Sequence, residues 1–188
     1  MKHKKIIFAF LLFGTLILIP LTSAIWNKSG NVICSADANQ ANKSICCDDE
    51  DNAIIVWQDY RDSNWDIYAQ KIDASGTPKW EYNGNEICSL FGDQVYPLIC
   101  CDGNETIISW ADKRSGSYFD VYIQKLDSAG FEQWTDDGIV LCNIAELELI
   151  DISTGGMDMC YDGNGGAIIV WGQICGEKNW YVNSNDWK

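Results

Sequence analysis

Short apolar runs rich in β-branched and aromatic residues alternate with polar turns along the chain. The run at residues 54–57, Ile-Ile-Val-Trp, has no polar face, which is typical of a strand covered on both sides. The segment at residues 66–73 also carries apolar side chains on both faces, and turns such as Ala-Ser-Gly at residues 74–76 separate these runs. No segment after residue 24 shows convincing helical periodicity, so the pattern predicts an all-β protein.

The apolar pattern belongs to a repeat with a period of 54 residues. The matches at this spacing include three sets of identical residues: Trp26, Trp80 and Trp134; Gly30, Gly84 and Gly138; and Cys34, Cys88 and Cys142. A third, looser copy places Cys160-Tyr161-Asp162 at an offset of 60 from Cys100-Cys101-Asp102. Each unit consists of four short predicted strands whose apolar faces only a neighbouring unit can cover, as in the blades of a β-propeller.

We therefore predict a partial β-propeller of four-stranded antiparallel blades. Its predicted parts are a lone strand at residues 26–34, blades at 44–88 and 97–142, and a truncated blade at 156–188. A closed propeller has at least four blades, so we expect this chain to be a fragment of a longer protein; the alternative is that it completes a ring by association. Open blade faces would favour self-association.

The repeat motif resembles a known class of proteins. The motif consists of AIIVWQDYR at residues 53–61 and NWDIYAQKID at 64–73, and it recurs as SWADKR at 109–114 and DVY at 120–122. It is similar to repeats of secreted prokaryotic β-propeller proteins with distantly TolB-like or sialidase-like blades. This resemblance implies an extracellular module with a binding or structural role. It also gives the alternative hypothesis, part of a sialidase-like glycan hydrolase.

The N-terminus has the pattern of a signal peptide. Three lysines precede an apolar run at residues 6–19, and small residues at 22–24 suit cleavage before Ile25. The apolar run has 14 residues, short of the roughly 20 of a spanning helix, so we favour cleavage; only an uncleaved leader would anchor the chain in a membrane. A signal peptide at residues 1–24 predicts a secreted, cell-surface or envelope protein.

Charge and histidine content narrow the classes of function. Without the three lysines of the leader, 10 of the 13 basic residues remain against 27 acidic ones, a formal charge of −17. Such a surface repels phosphate backbones, which argues against nucleic-acid binding. The single histidine, His3, lies in the leader, so the mature chain would have no histidine for catalysis or zinc binding.

Nine cysteines in a secreted chain predict disulfides. The pairing common to all three units is Cys34 with Cys46, Cys88 with Cys100, and Cys142 with Cys160. Each bridge would contribute about 3 kcal/mol by the chain-entropy estimate. The neighbouring Cys47 and Cys101 stay free, bond to each other between blades or exchange roles, and Cys175 is left over. No C-x-x-C pair supports a zinc site.

The repeated tryptophan, aspartate and arginine residues have two interpretations. These residues are Trp57, Asp59, Arg61, Trp110, Asp112, Arg114 and Trp171. The tryptophans could stack on sugars and the aspartates could serve a glycosidase, whose carboxylates stand about 5 to 10 Å apart. Two blades repeat the Asp-x-Arg motif and the third replaces it by Trp171-Gly172-Gln173, whereas a catalytic pair would appear once, so we expect packing and structural ion pairs. We predict no catalytic residues and a protein that is not an enzyme.

Two further sets of residues are candidate sites. Hard oxygen ligands in tight turns make calcium the one candidate cofactor, with Asp48, Asp49, Asp51, Asp162 and Asn164 as ligands. Three N-x-Ser/Thr sequons, at Asn27, Asn42 and Asn104, would accept glycans in a glycosylating host. We expect a protein or glycan as the binding partner, and no motif in the sequence identifies which one.

Overall fold

The computed structural model describes residues 26–103, 105–116, 118–142, 149–150, 156–175 and 177–184. These residues form twelve strands in three antiparallel sheets of four strands each, and no helix occurs among them. It follows that no helix of the described chain is long and apolar enough to cross a membrane. The prediction of an all-β protein with four-stranded antiparallel sheets is confirmed.

The first two sheets are built alike, because sequence neighbours are also neighbours in space. The first contains, in spatial order, β1 (Gln40–Cys47), β2 (Ala53–Asp59), β3 (Asp66–Ile72) and β4 (Asn85–Cys88). The second contains β5 (Gln94–Asp102), β6 (Glu105–Asp112), β7 (Asp120–Leu126) and β8 (Ile139–Cys142). Each is a meander of antiparallel strands, with short turns between its first three strands and a longer loop before the fourth.

The third sheet has a different outline. Its strands are β9 (Leu149–Ile150), β10 (Met157–Tyr161), β11 (Ala167–Cys175) and β12 (Glu177–Ser184). Strands β10, β11 and β12 follow in order, and the short β9 pairs with β11 through Gln173 and Ile174, beyond the end of β10. The predicted strand Ala167 to Trp171 therefore forms, within a longer β11.

Residues 26–34 do not form the predicted lone strand. They adopt turns and irregular backbone and reach the first sheet mainly through side chains. The Trp26 indole donates a hydrogen bond to the Ala74 carbonyl over 3.1 Å, and the Asn31 amide donates to the Gly76 carbonyl over 3.0 Å. The prediction depended on the repeat, which matches residues 26–34 to residues 80–88, and in that segment only Asn85–Cys88 forms a strand.

The second sheet is buried between the other two. On one face, Ile108 and Trp110 pack with Ile54 and Val56 of the first sheet. On the opposite face, the second sheet's Ile107 packs against Ile169 and Trp171 of the third; together these contacts build the core. Successive residues of β6 thus serve different interfaces, since strand side chains alternate between faces. Strand β5 of the second sheet also contacts both β1 of the first sheet and β10 of the third.

Candidate functional site

The Trp-Asp-Arg motif of the first sheet forms a buried polar network. Asp59, which is inaccessible to solvent, accepts hydrogen bonds from the Trp57 indole at 2.9 Å and from the Arg61 guanidinium at 2.6 Å. That guanidinium also donates to the Asn83 carbonyl at 3.1 Å and lies 3.7 Å from the centre of the Tyr68 ring. Burial alone would raise the pKa of Asp59, but the hydrogen bonds from Arg61 and Trp57 lower it below its usual value.

The second sheet builds the same network at the corresponding residues. Asp112 accepts from the Trp110 indole at 2.8 Å and from the Arg114 guanidinium at 2.6 Å. The guanidinium donates to the Asp137 carbonyl at 2.8 Å and lies 3.9 Å from the centre of the Tyr122 ring. The arginine thus ties the loop between the second and third strands to the turn before the fourth strand.

The network leaves the two carboxylates committed to the fold. Asp59 and Asp112 each have zero solvent exposure, and their oxygens already accept hydrogen bonds from the adjacent arginine and tryptophan. The third sheet continues from Trp171, which is buried in the core, into Gly172 and Gln173, so it carries no counterpart of the ion pair. The geometry supports the structural interpretation of the motif.

The predicted disulfide pairs are wrong. A disulfide joins Cys46 in β1 to Cys101 in β5, with 5.9 Å between the Cα atoms, and so connects the first sheet to the second. None of the three predicted pairs is formed: Cys34 with Cys46, Cys88 with Cys100, and Cys142 with Cys160. The prediction joined cysteines 12 to 18 residues apart in the sequence. The bond forms instead between residues 55 apart, where two stacked sheets face each other.

Cys34 and Cys88 belong instead to the polar networks. The Arg61 guanidinium donates to the Cys34 sulfur at 3.5 Å, and the Arg114 guanidinium donates to the Cys88 sulfur at 3.0 Å. Burial raises the pKa of the Cys88 thiol, and it raises that of Cys100 to about 12. These buried thiols are protonated at neutral pH, so they have little nucleophilic character.

The candidate calcium ligands make hydrogen-bonded turns. Asp48 is buried and accepts from the Lys71 ammonium at 2.7 Å and from Asn52; despite the opposing effect of burial, these contacts lower its pKa to about 2. Asp162 accepts from the backbone amide of Asn164 at 2.7 Å. Asp49 and Asp51 point to solvent. Among the described residues, no group of three or more His, Cys, Asp or Glu side chains could hold a metal ion.

The sequons differ in accessibility. Asn27 is exposed. Asn42 is exposed as well, but its amide nitrogen donates to the Gln58 side chain at 2.8 Å. Asn104 lies outside the described residues. Of the two sequons that the structure describes, Asn27 therefore has the side chain more open to a modifying enzyme.

A groove that the sequence did not predict lies where β1, β5 and β10 meet. It encloses about 250 Å³, and its lining includes Asn42, Lys43, Tyr96, Leu98 and Met157. Asn42 and Tyr96 have positive φ angles of 45° and 55°, at shifts in the register of β1 and β5. Backbone strain of this kind costs about 1–3 kcal/mol and is held by the surroundings.

One buried side chain holds both irregular positions. The Gln58 carbonyl oxygen accepts from the Asn42 side chain at 2.8 Å and from the Tyr96 backbone amide at 3.1 Å. The register shift leaves the Tyr96 ring 40% exposed beside the exposed Lys43. A signal was present in the sequence, because Asn42 and Tyr96 are also 54 residues apart. An aromatic face next to a cation and amide groups can bind a sugar ring, which has both apolar and polar edges.

The chain matches no protein-family model and no curated protein. Its resemblance to secreted β-propeller repeats therefore depends on the motif residues quoted from the sequence.

Proposed function

We propose that this protein is an exported β-propeller repeat module that binds a carbohydrate ligand in the groove between its innermost strands. In this proposal each sheet is one blade, and the 54-residue period of the sequence is the length of a blade. The proposal includes the signal peptide at residues 1–24, because export would bring the groove into contact with extracellular glycans.

The observation that carries the propeller interpretation is the recurrence of contacts between successive units. The Trp80 indole donates to the Ser128 carbonyl at 3.4 Å, as Trp26 does to Ala74, and both pairs are 48 residues apart. The Asn85 amide donates to the Gly130 carbonyl at 3.2 Å, the counterpart of the bond from Asn31. Stacked repeats produce the same hydrogen bond at corresponding positions even where the accepting residue differs, since each unit contacts its neighbour in the same way.

The position of the first strands supports the same interpretation. In a propeller the innermost strands of all blades surround a central channel. Here β1, β5 and β10 are neighbours, and the groove lies between them. A hydrolase built on Asp59 or Asp112 has no comparable support, because both carboxylates are buried in ion pairs.

The groove offers the contacts that a saccharide needs. Tyr96 presents a half-exposed ring for stacking, Lys43 presents a cation for hydroxyl or carboxylate groups, and Leu98 and Met157 line the rest with apolar surface. The hydrogen bond from the Tyr96 backbone amide to Gln58 holds the backbone that carries the ring, so less backbone ordering is needed when a ligand binds.

A glycan array followed by calorimetry tests this proposal. Tyr96→Asn removes the ring but suits the positive φ, because asparagine tolerates the left-handed region and stands at the corresponding position 42. We expect the affinity to fall about tenfold, whereas Phe91→Asn, at a residue 94% exposed in a loop, leaves it unchanged. Absence of binding to every glycan, equal effects of the two variants, or release of cleaved sugar would overturn the proposal.

A further inference from the structure

Two apolar sheet faces of this chain are left uncovered in the described structure. On the first sheet, Ile45 is 62% exposed and Ile55 is partly exposed; Ile55 and Ile33 line a cavity of about 240 Å³ on this side. On the third sheet, Ile168 and Val170 are partly exposed on the side opposite the core residues Ile169 and Trp171. Both open faces are turned away from the second sheet, which lies between the other two.

The second sheet shows what covers the first of these faces. The residues corresponding to Ile45 and Ile55 are Ile99 and Ile108, which are 7% and 0% exposed because the first sheet packs on them. The second uncovered face has a similar precedent. Ile168 corresponds in the repeat to Ile54 of the first sheet, a residue that packs on the second. The two open faces are therefore the two halves of an interface that the chain already builds internally.

The cysteines continue this correspondence. At the interface between the first and second sheets, Cys46 is bonded to Cys101. In the repeat, Cys160 corresponds to Cys46, and Cys47 corresponds to Cys101. Both Cys47 and Cys160 are exposed free thiols. Cys47 lies in β1 of the first sheet and Cys160 in β10 of the third, the two sheets with open faces.

We infer that a second copy of this chain covers these faces head to tail, with the third sheet of one copy on the first sheet of the other, and that Cys160 of one copy forms a disulfide with Cys47 of the other. The inference uses the stacking of blades and the export proposed above, but not the ligand. Such a contact joins two different surfaces, so two copies close a ring if the rotation allows it.

The oxidation step is an ordinary thiol–disulfide exchange. The Cys47 thiolate attacks oxidised glutathione and releases one reduced glutathione, and the Cys160 thiolate of the other copy displaces the second. One S–S bond is broken and one formed, two protein thiols are oxidised, and the glutathione disulfide is reduced to two thiols. An oxidising extracellular compartment provides such disulfide oxidants.

The covalent part is tested by incubating the purified chain with oxidised glutathione and running non-reducing gels. We expect a disulfide-linked dimer and, by mass spectrometry, a peptide joining Cys47 to Cys160. Cys47→Ser or Cys160→Ser should abolish the dimer, whereas Cys34→Ser, at a thiol within the first polar network, should retain it. A dimer that survives both of the first two changes, or no dimer at all, would overturn the inference.

The direction of the contact is tested by charge substitutions, read by light scattering after gel filtration. Ile45→Asp and Ile168→Asp should each give a monomer under reducing conditions in which the wild type associates, while an equal mixture of the two variants forms a dimer through one intact contact. Phe131→Asp, at a residue 69% exposed in a turn, is the control and should associate normally. A monomeric wild type, or an Ile168→Asp variant that associates alone, contradicts the head-to-tail contact. Because Ile45 is exposed in the single chain, its variant stays informative if the other fails to fold. Tyr96→Asn leaves both faces intact, so failure of ligand binding and failure of association are separate results.

Discussion

Substitution of Asp112 gives a quantitative test of the buried network. Asp112→Asn keeps the shape of the side chain but removes the charge that faces the Arg114 guanidinium at 2.6 Å. Removing one partner of a buried ion pair costs about 3–5 kcal/mol, because the other charge stays buried. Arg114 is 17% exposed and retains the Asp137 carbonyl as an acceptor. We therefore expect the lower end, about 3 kcal/mol of unfolding free energy.

The first sheet supplies a matched variant. Asp59→Asn breaks the ion pair with Arg61, whose side chain is 19% exposed, over the same distance of 2.6 Å. If both pairs are structural, the two variants should lose similar stability. The double variant with Asp112→Asn and Arg114→Met should recover part of the loss, because no buried charge remains unpaired.

Urea unfolding followed by tryptophan fluorescence measures these free energies. A loss below about 1 kcal/mol in both single variants would refute the reasoning, since that is the range of exposed ion pairs. Additive effects of the two changes at the second network would also refute it, because they would mean that the charges do not interact.

Three further changes test other parts of the fold. Burial, together with neighbouring carboxylates, raises the pKa of Asp66 to about 7, so the folded state keeps a proton that the unfolded state releases above about pH 4. The free energy of unfolding should therefore fall as the pH rises from about 4 to about 7. Asp66→Asn should flatten this slope in urea titrations. Cys46→Ser opens a link between residues 55 apart and should cost about 4 kcal/mol under oxidising conditions but nothing once the wild type is reduced. Gly138→Ala would place Cβ 2.5 Å from the Trp110 ring, whereas Gly163→Ala has the same φ of +83° and open space; thermal unfolding should show the greater loss at Gly138.

The strands and the network were predictable because both depend on local sequence. The residues from Ile54 to Trp57 are apolar on both faces, and the structure buries or half-buries each of them within β2. Asp59 and Arg61 follow at the end of that strand, and their recurrence in the second unit favoured a structural ion pair over a catalytic role. Periodicity shows what successive units share, and this ion pair is shared by the first two units.

The groove could not be predicted from the apolar pattern. It depends on register shifts at Asn42 and Tyr96, where the backbone takes positive φ without glycine. Such a shift is stabilised by Gln58, a residue of another strand, so the cause lies in tertiary contacts. The prediction of a strand at residues 26–34 was wrong for a similar reason: the repeat reports the side-chain contacts that Trp26 and Asn31 make, but it does not determine backbone pairing.

The predicted disulfides joined cysteines close in the chain, such as Cys34 with Cys46, whereas the bond that forms joins two stacked sheets and follows from the geometry of the stack. Residues one full period apart, such as Cys46 and Cys100, point in the same direction along the stack, so their side chains cannot face each other. Facing side chains must come from opposite faces, and the alternation along a strand then requires a shift of one residue from the period. The bonded pair, Cys46 and Cys101, is separated by 55 residues, which is one more than 54. At the next interface the same shift pairs Cys100 with Tyr161. Tyrosine cannot form the bond, and its hydroxyl donates to Asp102 instead, so the second and third sheets meet without a bridge at this position.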